Sequence, residues 1–216
     1  MTKYKLYLFD LDGTLLDSDQ MLIETFRDLY KLYKPKDFVI DEKKIITFSG
    51  PPIRETLKKE FPEYDQEMML NVWRKESIKN YPLFTKLFPG ALEILSAFVE
   101  NNVKCAIVTN KHRRAAEEAF RIFGIDKIGV FAVCGDDVVN QKPSPEGIFK
   151  AMEHFGITDP SEVLYVGDSV FDCNTALNSG VDFCLVSWSP RKLPENARIT
   201  MKISKFEELL WRRPIL

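Results

Sequence analysis

The sequence predicts an α/β protein: a Rossmann-like, doubly wound parallel sheet with an all-helical segment inserted after the first strand. Three observations carry this expectation. Short apolar runs such as Leu6-Tyr7-Leu8-Phe9, Cys105-Ala106-Ile107-Val108 and Val163-Leu164-Tyr165-Val166 alternate with helical patterns along the second part of the chain. Each of these runs ends in a group of acidic, hydroxyl or small residues. Between the first run and the others, from Asp17 to about Tyr81, the periodicities are helical.

Bulk properties narrow the class. The chain has 216 residues, 45% of them hydrophobic, enough for one core domain and a smaller one. Lys plus Arg is 30 and Asp plus Glu is 32, a net charge of -2. That balance argues against nucleic acid as the main partner and provides no polybasic membrane anchor. No apolar run approaches the ~18 residues of a spanning helix, and Asp10 interrupts the first run too early for a signal peptide. The expectation is a cytoplasmic protein with a small-molecule partner, monomer or homodimer. Cys105, Cys134, Cys173 and Cys184 form no Cys-x-x-Cys pair and are expected as buried, reduced thiols. His112 and His154 are the only histidines, which argues against zinc.

The elements follow in order. The first strand ends at Asp10, because Asp and Gly disfavour a strand interior. Asp17 and Gln20 have capping-box spacing ahead of a helix bearing Leu22, Phe26, Leu29 and Tyr33, which Pro35 ends. A second helix opens at Gly50-Pro51-Pro52, and Asp65 caps a third with Met69, Val72 and Trp73. Met68, Met69 and Trp73 are expected in the core of this insert. Pro82 to Gly90 reads as the return linker. The insert is thus expected over 17–82 and the core over 1–16 and 83–216. From Ala91 onward, helices to Glu100, from Arg113 to Phe123, from Ser144 to Gly156 and from Phe171 to Ser179 alternate with strands at 104–108, 130–133, 163–166 and 183–186. A short strand near Ile199 and a helix from Phe206 to Trp211 complete the pattern.

Parallel strands bring their C-terminal ends to one edge. That edge then collects Asp10 and Asp12, Thr109 and Asn110, Asp136 and Asp137 with Lys142, and Asp168 with Asp172. Crowded carboxylates repel one another and are relieved by a cation. Hard oxygen donors point to Mg²⁺, which commonly bridges to phosphate. Lysine, a hydroxyl and Mg²⁺ match the spread charge of phosphoryl transfer.

Four motifs occur in order: Asp10-Leu11-Asp12-Gly13-Thr14, Thr109-Asn110, Lys142-Pro143, and Gly167-Asp168-Ser169-Val170-Phe171-Asp172. Together they resemble the haloacid dehalogenase-like hydrolase superfamily. The helical insert, with Gly50-Pro51-Pro52-Ile53-Arg54-Glu55-Thr56-Leu57, resembles the small helical cap of its phosphoglycolate phosphatase and pyrophosphatase subgroup. The resemblance implies a phosphatase in which Asp10 is the nucleophile and Asp12 the general acid and base. It implies Mg²⁺ held by Asp10, the Asp12 carbonyl and Asp168, phosphoryl oxygens held by Lys142 and Thr109, and support from Asp172. Asn110 and Arg54 are expected to touch substrate, a phosphoglycolate-like metabolite. Lys111 and His112 are expected to decorate a helix start. Ser187-Trp188-Ser189 departs from the subgroup, which often has glycine after the tryptophan.

Alternatives remain at this stage. An inorganic pyrophosphatase and a sugar phosphomutase share the fold, although such mutases usually carry a histidine soon after the first motif. A dehalogenase usually lacks the second acid, which here is Asp12. A signalling receiver domain places its phosphoaccepting Asp after its third strand. A non-catalytic phospho-ligand-binding protein would keep the fold without turnover.

Overall fold

The computed structural model describes residues 4–211. In chain order its strands are β1 (Leu6–Phe9), β2 (Leu16–Asp17), β3 (Lys86–Leu87), β4 (Lys104–Val108), β5 (Phe131–Val133), β6 (Val163–Gly167), β7 (Asp182–Val186) and β8 (Met201–Ile203). Its helices are α1 (Asp19–Tyr33), α2 (Glu42–Ile46), α3 (Ile53–Glu60), α4 (Gln66–Phe84), α5 (Ala91–Glu100), α6 (Arg113–Phe123), α7 (Glu146–Phe155), α8 (Val170–Ser179) and α9 (Glu208–Trp211).

Six strands form a parallel sheet in the order β5-β4-β1-β6-β7-β8. β1 is buried at every position, as a central parallel strand covered on both faces must be. Its side chains alternate between two apolar clusters. Tyr7 and Phe9 join Ile94, Leu95 and Phe98 of α5 and Ala116 and Phe120 of α6. Leu6 and Leu8 join Ile148, Ala151 and Met152 of α7 and Cys173 and Ala176 of α8. From β1 the chain winds outward through β4 and β5 on one side and through β6, β7 and β8 on the other. The switch point therefore lies at β1 and β6, where open α/β sheets bind ligands.

A third apolar cluster belongs to the insert alone. It holds Leu22, Phe26 and Leu29 of α1, Ile45 of α2, Leu57 of α3 and Met69 of α4. The insert joins the sheet through a two-stranded antiparallel ribbon of β2 and β3.

Several expectations need correction. Asp17 does not cap α1. Its backbone pairs with Lys86 across the ribbon, and its carboxylate lies 3.4 Å from the Lys86 ammonium. Ser18 takes the cap position without a side-chain bond, and Gln20 bonds Glu24 instead. The expected linker at Pro82 is still helix, since α4 runs to Phe84. Proline there removes one donor, to the Ile78 carbonyl, which a helix already anchored by neighbours tolerates. The rest of that stretch supplies β3. α2 is an unexpected single turn, too short for a periodicity, capped by Asp41 accepting from the Lys44 amide. Met68 is exposed, whereas Met69 is buried. β8 lies two residues beyond Ile199, and α9 starts at Glu208. Asp65 does cap its helix, accepting from the Met68 amide. The four cysteines are buried and free. No helix among the described residues is long and apolar enough to cross a membrane.

Candidate active site

Register places the site. Phe9 of β1 lies beside Ile107 of β4 and Val166 of β6. One or two residues further, the three strands release Asp10, Thr109 and Asp168 at the same edge, with Asp10 in the middle. The Asp10 amide still donates to the Val166 carbonyl at 2.9 Å, so its backbone is fixed by the sheet. Thr109 is fixed likewise through its amide and the Val133 carbonyl.

Lys142 is the hub. Its buried ammonium donates to Asp10 Oδ1 at 2.6 Å, Asp172 Oδ1 at 2.7 Å and the Tyr165 hydroxyl at 3.0 Å. All three ammonium hydrogens thus have acceptors. Burial opposes the charge, but Asp10 and Asp172 outweigh it and hold Lys142 well above the usual lysine range. Tyr165 was missed by the sequence reading. Its signal was a tyrosine inside an otherwise aliphatic central strand, where a buried hydroxyl requires a partner. That hydroxyl lies 3.0 Å from both the Val108 carbonyl and Asp172 Oδ1.

Asp172 is saturated. Its Oδ2 accepts from the Ser169 hydroxyl at 2.6 Å and from the amides of Asp168 and Ser169 at 3.2 and 3.0 Å. Ser169 returns the bond as the N-cap of α8, a capping box with Asp as third residue. Gly167 makes this possible, since a Cβ there would lie 2.5 Å from the Asp172 Cβ. Gly13 brings the first loop equally close: its Cβ would sit 2.3 Å from Asp168 Oδ2, and its φ of +89° suits glycine.

Carboxylate oxygens of Asp10, Asp168 and Asp172 lie within 4.8 Å of one another. Burial pushes Asp10 up, with Asp172 and Asp168 adding to it and Lys142 opposing. Burial raises Asp168 as well, against the pull of Arg191. With Asp172 already committed, Asp10 and Asp168 are the carboxylates suited to hold a metal. They offer hard oxygen without imidazole or thiolate, a donor chemistry that fits Mg²⁺.

Arg191 and Ser189 were also missed. Asp168 Oδ2 accepts from the Ser189 hydroxyl at 2.7 Å and from Arg191 Nη1 at 2.9 Å. Ser189 is the position where the sequence departs from the usual glycine. Arg191 also pairs with Asp19 at the start of α1, at 2.5 Å, and donates to the Ile46 carbonyl of α2.

The remaining expected residues divide. Asp12 Oδ2 accepts from Lys111 Nζ at 2.8 Å, while Oδ1 is buried with no partner among the described residues. Lys111 therefore faces the site rather than decorating α6; His112 precedes that helix and lies 3.2 Å from Asp136. Asn110 is taken up by backbone. Its Oδ1 accepts from the Lys142 amide at 2.8 Å, and its Nδ2 donates to the carbonyls of Gly50 at 2.9 Å and Lys142 at 3.3 Å. It positions the Lys142 loop and ties it to the insert. Arg54 is not brought to the site: it is exposed and paired with Glu67 across α3 and α4.

The family model for haloacid dehalogenase-like hydrolases matches residues 7–186, which contain all of these carboxylates and Lys142. The chain belongs to the haloacid dehalogenase-like hydrolases. The hydrolase is 33% identical to the pyrophosphatase PpaX of Halalkalibacterium halodurans over 184 residues, covering 85% of this chain and 84% of that one. It is 30% identical to the PpaX pyrophosphatase of Bacillus cereus over 211 residues, covering 97% and 94%. Among solved structures it is similar to a hydrolase of this superfamily, subfamily IA, from Geobacter sulfurreducens. That likeness has a TM-score of 0.74 at 25% identity and covers 97% of this chain and 96% of the other.

Proposed function

We propose that this hydrolase is a Mg²⁺-dependent phosphatase acting on a small phosphorylated substrate through an aspartyl-phosphate on Asp10. One observation carries the reading: a buried lysine clamped between Asp10 at 2.6 Å and Asp172 at 2.7 Å, with Asp168 adjoining. Such a fixed charge at a nucleophilic carboxylate serves electrostatic stabilisation of a transferring phosphoryl group. Asp10 Oδ attacks phosphorus as the bond to the leaving oxygen breaks, and Asp12 gives that oxygen its proton. Water then attacks the phosphorus, Asp12 takes its proton, and the Asp10–phosphorus bond breaks. Lys142 and the Thr109 hydroxyl hold phosphoryl oxygens, and Asp172 keeps Lys142 in place. Asp10, Asp168 and the Asp12 carbonyl would hold Mg²⁺, which when bound neutralises phosphoryl charge. The helical insert acts as a cap that excludes water.

Of the admissible substrates, pyrophosphate comes first, because relatives at 33% and 30% identity over most of the chain are named pyrophosphatases. Phosphoglycolate comes second. The absence of histidine before His112 weighs against a phosphomutase. The test is phosphate release from both substrates with Mg²⁺. Asp10→Asn is expected to remove turnover by at least ~10³-fold with unchanged circular dichroism, and excess chelator should abolish it. Full activity in Asp10→Asn would overturn the nucleophile.

A further inference from the structure

Three cations stand at the site among the described residues, and two of them each bridge two carboxylates. Lys142 is shared by Asp10 and Asp172, and Arg191 by Asp168 and Asp19. Lys111 differs. Among the described residues its ammonium has one carboxylate partner, Asp12 Oδ2 at 2.8 Å. It sits 4.6 Å from the centre of the Tyr81 ring, a cation–π contact from the last turns of α4. Its side chain is 13% exposed, so the charge is largely shielded from water.

The root of Lys111 is rigid. Its amide donates to Thr109 Oγ1 at 3.1 Å, and its carbonyl accepts from the Gly135 amide at 2.9 Å. Its ammonium is therefore a placed charge rather than a wandering surface one. The pairing also divides the two oxygens of Asp12: Oδ2 is anchored, and Oδ1 is left for another partner. On the reading above, the carboxyl of Asp12 passes its proton to the leaving oxygen. The leaving group then emerges beside the Lys111 ammonium. Next to it the Tyr81 hydroxyl is buried, 6% exposed for the residue, with no partner among the described residues. A phenol is a donor at neutral pH. A placed cation on the leaving-group side matches an anion there. A neutral alcohol can accept from the hydroxyl but offers the ammonium no opposite charge.

We propose that Lys111, with Tyr81 behind it, reads the charge of the leaving group. The preferred substrates then carry a second anionic group, phosphate or carboxylate, on the leaving side. This rests on the phosphatase reading and adds a residue that decides between substrates. The role is one of specificity: Lys111 meets the part of the substrate that departs, whereas Lys142 meets the part that is transferred.

The experiment measures kcat/KM for pyrophosphate, phosphoglycolate and p-nitrophenyl phosphate in the wild type, Lys111→Met and Lys111→Arg. The expected result is a fall of about 30-fold in the ratio of each doubly anionic substrate to the aryl ester in Lys111→Met. Most of the ratio should return in Lys111→Arg. A fall for pyrophosphate alone assigns the second anion as phosphate; a fall for both substrates assigns it as any anion of that size. An equal loss on all three substrates would overturn the proposal, since a lysine that only orients Asp12 gives that outcome. So would a ratio that does not move. Thermal melting of each variant separates misfolding from selectivity, with Lys111→Arg as the folded control. Should the wild type release phosphate from none of the three, the phosphatase reading itself falls.

Discussion

Lys142 is the residue with the least room for change. It has three acceptors in a buried setting, and each acceptor depends on it. Lys142→Met would leave Asp10 and Asp172 as neighbouring buried acids without their cation. Breaking a buried pair in this way costs about 3–5 kcal/mol, and turnover should fall by at least ~10³-fold. Tyr165→Phe should be milder: about 1 kcal/mol of stability and roughly a 10-fold loss of kcat. Thermal denaturation and steady-state kinetics on the two variants check both values, and equal effects would contradict the hub. Asp10, Asp12, Thr109 and Asp168 could be placed at the edge from sequence because each stands just after the end of an apolar run, and Lys142 and Asp172 because they follow in the loop and first helical turn beyond such a run. The partners of Tyr165, Ser189, Arg191 and Lys111 could not be read there, although the tyrosine in an aliphatic strand signals that Tyr165 needs one. Their contacts are made across the sheet edge, at separations of 23, 21, 23 and 99 residues, and no local pattern encodes such pairings.

Among the elements, regular strands and helices of the core matched expectation within a residue or two, because burial on both faces leaves little choice of phase. The ribbon of β2 and β3 escaped notice because two-residue strands have no periodicity. α2 escaped for the same reason. The junction of β5 with α6 yields a pH test. Arg113 at the start of α6 bonds Asp137 and the Ala132 carbonyl of β5. The Arg113 guanidinium holds the Asp137 carboxyl below the usual carboxylate range. A depressed carboxyl contributes stability that is present above its unfolded value, about 3.9, and lost as pH falls through its folded value. Asp137→Asn should therefore melt ~3 °C lower near neutrality, and the gap should close below about pH 4. Melting curves across that range decide it; a gap that persists unchanged in acid would refute the linkage.

At the scale of the molecule, charge balance links the site to the insert. Asp10, Asp12, Asp19, Asp168 and Asp172 face Lys111, Lys142 and Arg191, which leaves two net negative charges. A divalent cation would bring this to neutrality and so remove the repulsion that an arriving phosphate dianion meets. Arg191 is the cation that spans both parts, through Asp168 in the core and Asp19 and the Ile46 carbonyl in the insert. Asn110 makes a second tie through the Gly50 carbonyl. Arg191→Met should speed amide exchange at the start of α1 and in α2 by about 10-fold or more, with β1, β4 and β6 unchanged. Hydrogen-exchange mass spectrometry reads this directly, and unaltered exchange in α1 and α2 would show that the tie carries no weight.

The ribbon has a consequence of another kind, for descent. β2 and β3 lie side by side, so the chain departs from the sheet and re-enters it through a doorway about 4.8 Å wide. Everything between Ser18 and Thr85 hangs from that doorway and builds an apolar cluster of its own. A lineage can lengthen, trim or exchange this cassette without rethreading a single strand of the parallel sheet. The insert can thus diverge quickly while the carboxylates and Lys142 at the sheet edge stay put.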